Sequence, residues 1–83
     1  MVVNEMDRKE IYELIDEERE YQDSLEYHSV EKDKSHSTAD WIIYMERKLN
    51  QAKEMVYQLK DDDALEQVKK VTALGVACME YRS

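Results

Sequence analysis

The sequence predicts an all-α fold: three helices, the second and third an antiparallel hairpin, assembling as a helical homo-oligomer. Three observations carry this prediction. Proline is absent and Gly75 is the only glycine among 83 residues, so the tight glycine-bearing turns of a β-sheet protein are missing. Glu, Lys, Leu, Met, Ala and Gln dominate, and all are good helix formers. Ser37-Thr38-Ala39-Asp40 and Asp63-Ala64-Leu65-Glu66 carry capping side chains just ahead of apolar, periodic runs.

The first helix is expected over about residues 7–23. Asp7 with Glu10 suits a capped start, and Ile11, Leu14, Ile15 and Glu18 trace one face. Beyond Ile15 charge dominates, which predicts that the first half of this helix packs and the second half is partly free. A loop is expected over 24–37, where Tyr27, His28 and His36 lie among mixed charges without periodicity.

The second helix is expected over 38–60, capped by Ser37 or Thr38. Trp41, Met45, Leu49, Ala52, Val56 and Leu59 form a heptad-like stripe, widened by Ile42 and Met55. Asp61-Asp62-Asp63 then breaks the pattern and suits the positive end of a helix dipole. The third helix is expected over 64–80, with frayed ends at 1–5 and 81–83. From Val71 to Met79 it is apolar or small on every side, and a helix apolar all round must be buried all round. An 83-residue single domain has little chain to cover it. That imbalance predicts an interface with another copy, carried by Val71, Leu74, Gly75, Cys78 and Met79, with Gly75 permitting a close helix–helix approach.

Composition narrows the chemistry. Twenty acidic against twelve basic residues give a formal net charge of −8, which disfavours duplex nucleic acid and anionic membranes as partners. No apolar run approaches the ~20 residues of a membrane span, and Met1-Val2-Val3 leads at once into Asn4-Glu5, so a cytoplasmic protein is expected. Cys78 is the only cysteine, which rules out a disulfide within the chain and reads as a small hydrophobe in a reducing compartment. No nucleophile elbow or glycine-rich phosphate loop is present, and His28, His36 and Cys78 match no zinc spacing.

The remaining candidates are cationic and aromatic. Arg19, Tyr21, Gln22, His36, Trp41 and Lys53 could receive a ligand, since Arg and Lys hold phosphate and aromatic faces stack on bases. Two of them have structural alternatives: Arg19 as a local ion pair, and Trp41 as a core anchor clamping the long loop. Carboxylates could gather Mg²⁺ through Glu17, Glu18, Glu46 and Glu66. However, Glu46 is followed at i+4 by Asn50, and Glu66 by Lys69 and Lys70.

Glu18-Arg19-Glu20-Tyr21-Gln22-Asp23, His36-Ser37, Asp40-Trp41-Ile42, Met45-Glu46, Leu49 to Glu54, Ala64-Leu65 and Val71 to Glu80 together form a pattern over about residues 18–80. It resembles a group of small helical proteins of bacteriophage and prophage genomes. That group is more distantly similar to all-α nucleoside triphosphate pyrophosphohydrolases of the MazG type. The resemblance implies helix pairs assembled into dimers or tetramers, and Mg²⁺ held by acids at the positions of Glu46 and Glu66. Here Asn50 and Lys69 replace the paired acids. The expectation is therefore a binding protein without cofactor that sequesters a nucleotide-like ligand between subunits, to counter host immune signalling. Two alternatives stand beside it: an acidic inhibitor of a host enzyme, and a Mg²⁺-dependent pyrophosphohydrolase.

Overall fold

In the computed structural model, which describes residues 6–25 and 35–82, the described residues form three long helices and no strand. They are α1 (Arg8–Ser24), α2 (Thr38–Tyr57) and α3 (Asp61–Arg82). The all-helical expectation holds, and α2 and α3 form the expected antiparallel hairpin, as Trp41 stacking on Tyr81 and Met45 facing Gly75 require. Of the loop expected over 24–37, residues 26–34 fall outside the described ones, as do residues 1–5 and 83.

Both predicted N-caps of the first two helices form. The Asp7 carboxylate accepts from the Glu10 backbone N–H at 2.9 Å. Ser37 makes the full capping box: its hydroxyl accepts from the Asp40 N–H at 3.1 Å, and Asp40 accepts from the Ser37 N–H at 2.9 Å. Those bonds to Ser37, with a smaller contribution from His36, hold the Asp40 carboxyl below its ordinary range.

α3 starts earlier than predicted, at Asp61 rather than Ala64, because all three aspartates fit inside its first turn, where the dipole favours acids. It also runs past the expected frayed end, since Tyr81 packs against the core and keeps the last turn helical. α2 stops at Tyr57, short of the predicted residue 60. Its end is a Schellman closure: the Lys60 N–H donates to the Met55 carbonyl at 2.8 Å, and the Leu59 N–H to the Val56 carbonyl at 3.0 Å. That closure needs a left-handed residue, and Leu59 supplies it at φ 60° with its side chain 93% exposed. Leu59 therefore leaves the apolar stripe in which its spacing had placed it.

α3 is the middle element, with α2 along one side and α1 along another. Trp41, Leu74 and Ala77 form the buried core, with Tyr44, Met45, Cys78 and Tyr81 packed against it. The apolar run of α3 is thus largely covered within the chain. Leu74 belongs to this core, Cys78 packs on it, and Val71 and Gly75 are half-buried. A Cβ built on Gly75 would meet the Met45 sulfur at 3.8 Å, ordinary contact distance. The Gly75 side consequently faces α2 of its own chain, and no unusually close approach demands the glycine. Of the predicted interface set, only Met79 is well exposed.

α1 reverses its expected polarity. Of its three buried residues, Arg19 and Gln22 lie in the charged second half and Ile15 closes the apolar stripe, whereas Ile11 and Tyr12 are exposed. Arg19 explains the reversal. Its Nε and Nη2 donate to the two carboxylate oxygens of Glu80 on α3, each at 3.1 Å, and its Nη1 donates to Gln22 Oε1 at 3.1 Å. Asp23 Oδ1 lies 3.2 Å from the same Nη2. Burial opposes the charged guanidinium, but the hydrogen bond to Glu80 and the charges of Asp23 and Glu80 prevail and raise the Arg19 pKa.

Candidate binding cleft

Where the C-terminal half of α1 meets the α2–α3 hairpin, a cleft of about 590 Å³ opens. Each wall is a helical stripe. α1 contributes Glu18, Tyr21 and Gln22, ending at Leu25; α2 contributes Tyr44, Arg47, Lys48 and Gln51; α3 contributes Lys70 and Leu74. Spacings of three and four bring each set onto one side of its helix. His36, just before the cap of α2, completes the lining.

The cleft is cationic in an acidic protein. Arg47, Lys48 and Lys70 face it against one acid, Glu18. Among the described residues none of these three cations makes an ion pair, whereas Arg19 and Lys69 do. Tyr44 and His36 form an aromatic edge, with ring centroids 5.2 Å apart and the Tyr44 hydroxyl 3.4 Å from His36 Nε2. The other His36 nitrogen, Nδ1, is buried without a partner among the described residues, as is Trp41 Nε1. The volume lies within the roughly 300–1,000 Å³ typical of small-molecule sites.

Three of the six predicted ligand residues line this cleft: Tyr21, Gln22 and His36. The other three do not. Arg19 is 6% exposed and its fork is already occupied by Glu80, Gln22 and Asp23, so it acts as the local ion pair. Trp41, 2% exposed, is the core anchor, wedged edge-on to His36 and stacked on Tyr81 at 6.2 Å, and offers no face to a base. Lys53 lies on another surface of α2, near Glu46 and Asn50. Tyr44, Arg47, Lys48, Gln51 and Lys70 went unrecognised as a group. Their signal was a cationic and aromatic stripe at helical spacing on α2, which resembles any solvated helix surface until α1 folds over it.

Three of the four candidate carboxylates, Glu17, Glu18 and Glu66, act on the Lys69 ammonium. Glu66 holds the Lys69 ammonium at 2.7 Å, and Glu18 reaches it at 3.9 Å from α1. The hydrogen bond to Glu66 raises the Lys69 pKa, partial burial opposing it and the charges of Glu66, Glu18 and Glu17 adding to it. An ammonium thus stands where a divalent cation would have to bridge the two helices. Glu46 sits apart on α2. Among the described residues no three His, Cys, Asp or Glu side chains converge as metal donors. No described helix is long and apolar enough to cross a membrane.

Comparison with protein-family models, with curated proteins and with solved structures finds no match to this chain.

Proposed function

We propose that the chain is a non-enzymatic binding protein that sequesters a small, nucleotide-like anion in the cleft between α1, α2 and α3. One observation carries this reading. In a protein of net charge −8, three cations without ion-pair partners among the described residues converge with tyrosines on a pocket of ligand size. Arg47 can grip a phosphate with its planar fork, while Lys48 and Lys70 supply point charges. Tyr21 and Tyr44 offer ring faces for a base, and Gln51 can hydrogen-bond its edge. The surrounding acidic field would slow anions approaching elsewhere on the surface, so the cationic walls localise capture.

The described lining residues all belong to one chain, so each subunit of a homo-oligomer would carry its own site. No acid in the cleft is free to hold a metal at the phosphates, since Glu18 already faces Lys69. This favours capture over hydrolysis.

Calorimetry with a panel of linear and cyclic nucleotides tests the reading. Binding should weaken with added salt and disappear in Arg47→Glu/Lys70→Glu. Lys9→Ala, an exposed cation outside the cleft, should leave it unchanged. Silence across the whole panel would sink the proposal, and so would equal affinity in the charge-reversed variant.

A further inference from the structure

The turn end of the α2–α3 hairpin exposes the residues that the apolar stripes would have buried. Leu49, Val56 and Tyr57 of α2 and Leu65 and Val68 of α3 line a shallow groove floored by Ala52 and Ala64. Tyr57 is 74% exposed and Leu65 65%. Only Lys53 and Asp61 interrupt the apolar lining, one on each helix. Among the described residues neither has an ion-pair partner.

We propose that this groove is a homodimer interface, occupied by the same groove of a second copy related by a two-fold axis. Two arguments select a second copy. The first is the patch itself: Leu49, Val56, Tyr57, Leu65 and Val68, each at least 46% exposed, lie side by side with nothing among the described residues over them, and a contiguous apolar patch of this kind marks a protein contact.

The second argument is charge. A two-fold contact is self-complementary, so it sets residue i against j and j against i. The groove carries one cation and one anion, Lys53 and Asp61. Paired across the axis, each meets its opposite in the second copy, and two ion pairs frame an apolar centre. Two chains of net charge −8 repel at long range, and this groove, with one charge of each sign, is a patch where they can meet without that penalty.

The inference is independent of the nucleotide cleft, which shares no lining residue with the groove, so either can fail alone. Sedimentation velocity over a micromolar dilution series decides it. Wild-type protein should sediment as a dimer. Val56→Lys and Leu65→Lys should each weaken association about tenfold or more, with unchanged far-UV circular dichroism because both positions are exposed. Leu65→Ser, a milder change, should move in the same direction. Lys53→Asp and Asp61→Lys should each weaken the dimer, and the double exchange should restore it. A wild-type chain monomeric throughout overturns the proposal. So does a Leu65→Lys protein that dimerises as wild type, or a double exchange no better than its single changes.

Discussion

The two ends of the α2–α3 hairpin begin from similar residues and finish differently. At the open end Trp41 stacks on Tyr81, Leu74 and Ala77 are buried, and α1 is tied across α3 by Arg19 and Glu80. At the turn end Leu49, Val56, Leu65 and Val68 follow the same helical spacing and stay exposed. The difference is cover. α1 reaches from Glu18 at Lys69 to Arg19 at Glu80, and nothing within the described chain lies over the turn. Periodicity reports which side chains favour burial; it does not say which element supplies it.

The largest test of this contrast is truncation at each end. Trp41→Ala should lower stability by about 3–5 kcal/mol in urea unfolding, because it removes a large, fully buried side chain from the core. Val56→Ala, at the turn end, should stay within about 0.5 kcal/mol when the chain is kept dilute and monomeric. Comparable losses at both positions would erase the distinction between a packed end and an uncovered one.

Arg19→Ala comes next, at about 2 kcal/mol, measured as a drop in the urea midpoint. The variant loses a buried bidentate pair, yet Glu80 and Asp23 are nearly half exposed and regain water, which limits the cost. If α1 stayed docked with undiminished stability, Arg19 would not be what holds the packed end together.

Leu59→Gly should raise stability by about 1 kcal/mol, because glycine adopts the left-handed turn conformation without the Cβ penalty and Leu59 makes little contact to lose. A second copy seated in the groove should leave the gain intact, since Leu59 does not line it. A loss of stability would mean that Leu59 packs on something at the turn. Gly75→Ala is the smallest change, a gain of under about 1 kcal/mol from helix propensity, because a Cβ there meets only the flexible Met45 thioether. Thermal unfolding reads both gains, and a fall in midpoint for Gly75→Ala would show that the helices do need glycine at this crossing.

Much of the fold was legible in the chain. Asp7, Ser37 and Asp40 announce helix starts through local hydrogen bonds that need no tertiary partner, so sequence alone locates them. The end of α2 was not legible, because a leucine rather than a glycine occupies the left-handed position. The docking of α1 was hidden for a different reason. An arginine among acids looks solvated, and only the fold shows that Glu80, 61 residues away, is its main partner. The cleft shared that difficulty: Tyr21, Gln22 and His36 were found from one side, while Arg47, Lys48 and Lys70 gain meaning only when three helices converge.

The Arg19–Glu80 clamp has a kinetic side. The hairpin is closed by a three-residue turn, whereas α1 is joined to α3 across most of the chain's length. Loop closure therefore favours the hairpin, and α1 docks last and leaves first. Its amides should exchange with deuterium ahead of those around Trp41 and Leu74, as a separate unit of low opening free energy. α1 is also one wall of the cleft, so the same motion that frays the protein would admit and release whatever the cleft holds. A bound anion should accordingly slow exchange in α1 more than in the hairpin, and uniform protection would show that the wall does not open on its own.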